Sequence, residues 1–163
     1  MTMNVYIRPL EVADAATSYL WRNNPLVWEH TGTKPDREIT LDMENKWIRV
    51  AVKNKNEKRF AICVSSTNEY IGNVQLTNIE LSRAEFHIFI GEPQFWGKGI
   101  GRIATDLLLT YAFEELSLKE VCLFVKIANE QAIALYRNCG FRYKLSKGDN
   151  NYMVITSGDW NGY

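Results

Sequence analysis

The pattern of apolar residues changes from strand-like to helical at a glycine-rich stretch in this chain, and that change limits the folds available to it. Before the stretch, three runs rich in apolar residues, at 59–64, 70–79 and 84–90, predict strands separated by polar turns. After it, apolar residues recur at helical spacing from residue 100 to residue 112. The stretch itself, PQFWGKGIGR over residues 93–102, therefore joins an antiparallel meander to the first turn of a helix.

The remaining segments predict further elements on both sides of this junction. A strand begins at Val5 and ends at Pro9, and two helices follow, over residues 13–22 and from about residue 40. Downstream, a short apolar run at 121–125 predicts a strand covered on both faces, and a helix with a cap at Asn129 precedes two more strands. The fold class is thus α/β: a mixed, mostly antiparallel sheet in a single layer, flanked by helices, in one domain over residues 1–163.

Composition excludes several classes of function. Nineteen Lys and Arg balance nineteen Asp and Glu, so net charge gives no support to nucleic-acid or membrane binding. The three cysteines are odd in number, which argues against a disulfide framework, and their spacing is not that of metal ligands. We therefore expect reduced thiols in a cytoplasmic protein, with no metal site. The sequence contains no apolar run long enough for a membrane-spanning helix.

The glycine stretch matches neither common phosphate-binding motif. A Walker A loop fails because five residues separate Gly91 from Gly97 and Gly99 stands where a hydroxyl is needed. A dinucleotide fingerprint fails because Arg102 takes the place of the third glycine. Bare amides at the start of a helix still favour an anion, with Lys98 and Arg102 beside it. The alternative is a tight turn that needs glycine only for positive φ.

Two separated motifs resemble the GNAT acetyltransferase superfamily. The stretch P-x-x-W-G-K-G-I-G is similar to the acetyl-CoA loop of that family, Q/R-x-x-G-x-G/A, with Trp96 where Gln or Arg is usual and with Gly99 and Gly101 as its small residues. A shifted register through Gln94 and Gly97 also satisfies the pattern. NEQAIALYRNCGF resembles the late helix of the family, and the similarity extends over nearly the whole chain.

The resemblance implies the GNAT fold and an acetyl-CoA-dependent enzyme. Its loop would hold the pyrophosphate mainly by backbone amides, and the pantetheine arm would lie along the end of the fourth strand. Asn129 could contact pantetheine, cap its helix, or do both. The implied cofactor-binding residues are Phe89, Ile90, Gly91, Trp96, Gly97, Lys98, Gly99, Ile100, Gly101, Arg102, Asn129 and Tyr136.

The same resemblance assigns proton-transfer roles. Tyr136 matches the tyrosine that serves as general acid for the leaving thiolate, although a packed aromatic is the alternative. Glu85 and His87 lie on one face of their strand, and either could accept the proton of the amine. Both could instead be structural, with Glu85 paired to Arg83.

The acceptor is expected to be a small primary amine that attacks directly in a ternary complex. Trp28, Glu29 and Glu85 are the candidate substrate-binding residues. Nucleotide-linked amino sugars and polyamines are the two candidate classes, and the second is weakened because the segment VWEHTG after the first helix has Glu29 as its only acid. N-terminal acetylation of a ribosomal protein and a non-catalytic acyl-CoA sensor remain alternatives. A homodimer or a larger homo-oligomer is compatible with the resemblance.

Overall fold

Our computed structural model describes residues 3–162 of the chain, which contain seven strands and five α-helices. The strands are β1 (Val5–Pro9), β2 (Lys58–Val64), β3 (Tyr70–Glu80), β4 (Arg83–Ile90), β5 (Glu120–Lys126), β6 (Arg142–Lys147) and β7 (Asn150–Thr156). The helices are α1 (Ala15–Arg22), α2 (Pro25–Thr31), α3 (Leu41–Ala51), α4 (Ile100–Thr110) and α5 (Glu130–Asn138). A 3-10 turn, Val12–Asp14, leads into α1, and a π-helical turn, Tyr111–Glu115, extends α4.

The strands form one sheet in the order β1-β2-β3-β4-β5-β7-β6. All neighbours in the sheet are antiparallel except β4 and β5, which are parallel. This confirms the predicted mixed, mostly antiparallel sheet and its meander β2-β3-β4. Because β4 and β5 run in the same direction at the centre of the sheet, their carboxyl ends lie at the same edge.

The two parallel strands are joined only at their beginnings. Their paired register ends at Glu85 with Cys122, whereas β4 continues to Ile90 and β5 to Lys126. Each strand keeps its antiparallel partner on the outer side over that length. The strands therefore part as a V, which we call the β4–β5 gap, and its edges can offer backbone N–H and C=O groups to an extended ligand.

Helices cover both faces of the sheet, as predicted, but not completely. On one face, the apolar stripe of α4 packs into the core, with Ile100, Ala104 and Leu108 at most 1% exposed. On the other face, Trp21 of α1 and Ile48 of α3 belong to a second core cluster. The apolar stripe predicted for residues 100–112 is thereby confirmed as the inner side of α4.

The second face is open where β5, β7 and β6 lie side by side. Phe124, Tyr152 and Leu145 are neighbours across these strands, and Phe124 and Leu145 are 47% and 50% exposed. The prediction that β5 is covered on both faces is therefore wrong at Phe124. No helix of the described chain reaches this part of the sheet because α1, α2 and α3 pack over β1 to β4.

The helix α2 was not predicted. The helix predicted over residues 13–22 ends before Asn24, but Asn24 begins another one, since its side chain accepts a hydrogen bond from the N–H of Leu26. Pro25 occupies the first helical position and Gly32 ends the helix in the left-handed conformation. These are ordinary start and stop signals, and they enclose a helix of only seven residues.

Candidate active site

The glycine-rich turn between β4 and α4 has the geometry of an anion site. Gly97 and Gly99 have φ angles of +70° and +77°, a region that favours glycine. A Cβ on either residue would meet no atom within 4 Å, so the space beside the turn is open. Gly99 is also the N-cap of α4, and the first N–H groups of a helix have no partner within it. The turn therefore needs glycine and can also admit an anion to its amides.

Two other glycines in the predicted cofactor site have packing roles. A Cβ on Gly91 would lie 2.1 Å from Cδ2 of Trp21, so this indole can pack only against a bare backbone. A Cβ on Gly101 would lie 3.1 Å from Cδ1 of Leu135, where α4 crosses α5. The sequence shows neither contact, because each partner is distant along the chain.

The backbone groups that face the β4–β5 gap differ from those expected. The N–H of Gly91 donates to the carbonyl of Ile71 on β3 at 2.8 Å, so it is not available to a ligand. Because backbone groups alternate between the two edges of a strand, Phe89 also faces β3, and Ile88 and Ile90 face the gap. Of the three residues whose backbone was predicted to hold pantetheine, Ile90 faces the gap and Phe89 and Gly91 do not, whereas Ile88, which was not predicted, also faces it. A contact of these groups with the cofactor stays a prediction.

The side chains around the turn are engaged within the protein. The indole N–H of Trp96 donates to the carbonyl of Ile90 at 2.9 Å, and its ring stacks on His30 of α2 with centroids 4.4 Å apart. The Nε of Arg102 lies 2.9 Å from Asp106 one turn along α4. Lys98 is exposed at the turn itself, with Nζ 5.5 Å from the ring centroid of Phe95.

Asn129 begins α5 and acts as its cap. Its side-chain oxygen accepts a hydrogen bond of 3.1 Å from the N–H of Ala132, which satisfies one of the first donors of the helix. This supports the capping role, and a contact with pantetheine stays a prediction. Since α5 carries Tyr136 two turns further on, the cap also fixes where that side chain lies.

Tyr136 lies beside the point where β4 and β5 part. Its ring meets Phe86 and Phe141 edge to face, each with centroids 5.9 Å away. Burial raises the pKa of Tyr136 to about 12, so the phenol keeps its proton at neutral pH. The packed ring and the general acid are therefore compatible, because burial of the ring only strengthens the hold of the phenol on its proton.

Glu85 and His87 flank Phe86 in sequence and project from the opposite face of the sheet. The Nε2 of His87 lies 3.3 Å from Oε1 of Glu85 and 3.1 Å from Oγ1 of Thr77. Partial burial lowers the pKa of His87 below 6.5, and the Glu85 carboxylate opposes that shift. His87 is thus a neutral imidazole at pH 7, as a proton acceptor must be, and the apex of the gap lies between this pair and Tyr136.

A cavity of about 240 Å³ lies between α1, α2, α3 and the sheet, on the same face as Glu85 and His87. Its walls are mostly aromatic or aliphatic, with a few hydroxyl and amide groups, as is usual for a small-molecule site. The residues that line it are Ser18, Trp21, Arg22, Val27, Trp28, Thr31, Thr33, Pro35, Glu44, Trp47, Asn73 and Phe89.

The charges that line this cavity cancel. Oε2 of Glu44, whose side chain is 3% exposed, accepts a 2.8 Å hydrogen bond from Nη1 of Arg22, and Oε1 accepts one of 2.9 Å from the hydroxyl of Ser18. The indole of Trp47 has the guanidinium groups of Arg22 and Arg59 at 5.8 and 4.9 Å from its centroid. The cavity therefore presents a neutralised carboxylate and an aromatic surface already in contact with cations.

Only one of the three predicted substrate-binding residues lines the cavity. Trp28 forms part of its wall, whereas Glu29 is exposed on α2 and Glu85 belongs to the gap. Sequence analysis missed the pair formed by Arg22 and Glu44, since no local pattern links residues on two separate helices. Phe89, predicted for the cofactor, turns its side chain to the cavity and packs edge to face on Trp21.

Neither a metal cluster nor a membrane span is found within the described chain. Residues 3–162 contain no group of three or more side chains that could hold a metal ion. No helix among those residues combines the length and apolarity needed to cross a membrane.

Comparison with protein families and curated sequences gives consistent matches. The family model described as an acetyltransferase (GNAT) domain matches residues 4–142. The spermidine N(1)-acetyltransferase of Escherichia coli (strain K12) is 34% identical over 142 residues, which cover 85% of this chain and 73% of that protein. Acetyltransferase PseH of Campylobacter jejuni (strain ATCC 700819 / NCTC 11168) is 28% identical over 137 residues, 84% of this chain and 82% of that one.

Solved structures share the fold over almost the whole chain. The spermidine N-acetyltransferase of Vibrio cholerae in complex with CoA and spermine has a TM-score of 0.83 at 26% identity, covering 95% of this chain and 96% of that one. A dodecameric structure of the spermidine N-acetyltransferase from the same organism has a TM-score of 0.80 at 26% identity, with 94% of each chain covered.

Proposed function

The chain belongs to the GNAT acetyltransferase family, and we propose that it transfers the acetyl group of acetyl-CoA to the primary amine of a small molecule by direct attack in a ternary complex. The observation that carries this proposal is the β4–β5 gap, which begins beside Tyr136 and runs toward an open glycine turn at the start of α4. The pantetheine arm of acetyl-CoA is extended like a strand and ends at a pyrophosphate, so it suits that shape. The Vibrio cholerae relative was solved with CoA.

Backbone groups provide most of the cofactor site. The amides at Gly97 and Gly99 and in the first turn of α4 would hold the pyrophosphate, helped by the dipole of the helix. The gap-facing N–H and C=O of Ile88 and the N–H of Ile90 would pair with the pantetheine amides, since the carbonyl of Ile90 already accepts from the indole of Trp96. An N–H there would donate to the thioester carbonyl. Acetyl-CoA supplies the activated acetyl group.

Proton transfer would use groups on the two sides of the apex. His87, with Glu85 beside it, would take a proton from the amine on the face that carries the cavity, directly or through water. Tyr136 would donate its proton to the thiolate sulfur on the other face. This division agrees with the pKa shifts, since the first group is neutral and the second is protonated at pH 7.

Among the candidate acceptors, the cavity favours a nucleotide-linked amino sugar over a polyamine. A polycation needs several carboxylates, but the one that lines the cavity, Glu44, is neutralised by Arg22. The indoles already have cations against them, including Nζ of Lys34 at 5.2 Å from the ring centroid of Trp28. Aromatic walls suit the ring of a sugar, and cations at the edge of the cavity suit a phosphate.

Thiol release tests both parts of the proposal. The protein is mixed with acetyl-CoA and, separately, with spermidine, a uridine-diphosphate amino sugar and an N-terminal peptide, and free thiol is followed. We expect amine-dependent release with the sugar nucleotide as the best acceptor. Cofactor binding with no amine-dependent thiol would favour a sensor domain, and release with the peptide alone would favour N-terminal acetylation.

The charge argument has a matched pair of variants. Arg22→Gln should leave Glu44 without its cation and shift the relative kcat/KM toward spermidine by about tenfold or more. Arg37→Gln removes an exposed arginine that pairs with Asp36 and does not line the cavity, so the ratio should stay as in the wild type. An equal ratio in all three proteins would contradict the charge argument.

We also propose that the chain forms a homo-oligomer. The open sheet face around Phe124, Tyr152 and Leu145 is apolar and uncovered within one chain, and a Vibrio cholerae relative is a dodecamer. Light scattering coupled to size exclusion should therefore give a mass above 18.8 kDa. Phe124→Ser should lower that mass, and a monomeric wild type would contradict this assignment.

A further inference from the structure

The last turn of α2 contacts both edges of the β4–β5 gap. On the β4 side, His30 stacks on Trp96 with an angle of 22° between the rings. On the β5 side, the side chain of Lys126 reaches the end of the helix, since its Cε lies 3.7 Å from where a Cβ of Gly32 would be. The helix therefore crosses the carboxyl end of the gap, where a ligand held by the turn would enter.

Trp96 joins this helix to the cofactor site. Its indole N–H is bonded to the carbonyl of Ile90 at the end of β4, and it directly precedes Gly97 in the turn. One ring is thus attached to the strand end by a hydrogen bond, to the turn by the chain, and to α2 by stacking. A displacement of the turn must move the ring, the helix or both.

The other side of α2 forms part of the acceptor cavity. Val27, Trp28 and Thr31 line that cavity, and among the residues of α2 only Val27 is fully buried. A helix of seven residues has little stability of its own, so its position depends on the packing of Val27 in the core and on the contacts of its last turn. One contact that holds this wall of the cavity is therefore the stack on Trp96, beside the cofactor site.

We propose that Trp96 is a positioning residue that couples occupation of the β4–β5 gap to the order of α2, and so to the shape of the acceptor cavity; this rests on the proposed function. When the turn and the gap edge are held by CoA, Trp96 holds His30, and α2 becomes less mobile. By reciprocity, a ligand that orders α2 strengthens CoA binding by the same factor. CoA in the gap and a ligand in the cavity thereby bind with positive cooperativity.

Hydrogen exchange of the α2 amides, with and without CoA, tests the coupling. In the wild type, saturating CoA should slow exchange over residues 25–32 by about fivefold or more, the lower end of usual coupling energies. Trp96→Gln, which introduces the residue usual in the GNAT pattern, and His30→Ala should still bind CoA by calorimetry but lose most of that slowing. Trp160→Gln is the matched control, since Trp160 packs on Phe113 away from the gap, and it should respond as the wild type does.

The outcomes separate the coupling from the function on which it rests. Unchanged α2 exchange in a wild type that binds CoA overturns the coupling alone. Full slowing in both Trp96→Gln and His30→Ala also overturns it, because the response would then not pass through the stack. Failure of the wild type to bind CoA overturns the proposed function and the coupling together.

Discussion

The substitution Gly99→Ala separates the two explanations of the glycine turn. Gly99 has a φ of +77°, and Gly148 in the turn between β6 and β7 has a φ of +59°. A Cβ at either position would meet no atom within 4 Å. Alanine should therefore introduce the same backbone strain in both variants, roughly 1–2 kcal/mol. In a domain of this size, the Tm should fall by roughly 2–4 °C for each kcal/mol. Gly148→Ala is thus a strain-matched control.

Only Gly99→Ala should affect CoA. Its methyl group enters the open space through which an anion reaches the turn amides, and one lost hydrogen bond to a charged group costs about 1.5–3 kcal/mol. That corresponds to a Kd for CoA about 10- to 150-fold higher. Isothermal titration calorimetry with CoA, together with calorimetric Tm values, measures both effects. Wild-type affinity in Gly99→Ala, or equal weakening in both variants, would show that glycine serves only the turn.

Three further predictions concern proton transfer and packing. Tyr136→Phe should lower turnover by roughly 10²–10⁴-fold and leave CoA affinity and Tm almost unchanged, because the ring contacts remain; unchanged turnover would remove the phenol from the mechanism. By NMR titration His87 should have a pKa below 6.5, and Glu85→Gln should lower that pKa further, because loss of the carboxylate disfavours the imidazolium; a pKa that rises would contradict the assigned contact. Gly91→Ala should reduce the free energy of unfolding by roughly 1–3 kcal/mol, since the new methyl group displaces Trp21, and a variant as stable as the wild type in denaturant would refute that packing.

The sheet and four of the helices were predictable because each follows from a local pattern. Apolar runs bounded by polar turns identified β2, β3 and β4, and a long apolar stripe identified α4. The short helix α2 has no such stripe, since Val27 is its one fully buried residue. Capping residues at both ends are the remaining signal: Asn24 and Pro25 begin the helix, and Gly32 ends it.

The glycines of the cofactor site show where local patterns stop being informative. Gly97 and Gly99 are required by the path of the chain, which the sequence of the turn itself determines. Gly91 and Gly101 are required by Trp21 and Leu135, which lie far away in sequence. All four occur within eleven residues of sequence, so only the structure can distinguish an open amide from a close packing contact.

The same distinction explains why the cofactor is easier to infer than the acceptor. Backbone amides at the start of a helix bind an anion whatever the distant residues are, so a short motif can indicate CoA. The charge of the acceptor cavity depends on the pairing of Arg22 in α1 with Glu44 in α3. Neither residue alone indicates the charge of the cavity. A relative with the same turn and the same tyrosine but no arginine at position 22 would present a bare carboxylate to its acceptor. Such a protein should prefer polycations, and acceptor choice in this family should therefore follow α1 and α3 rather than the cofactor motif.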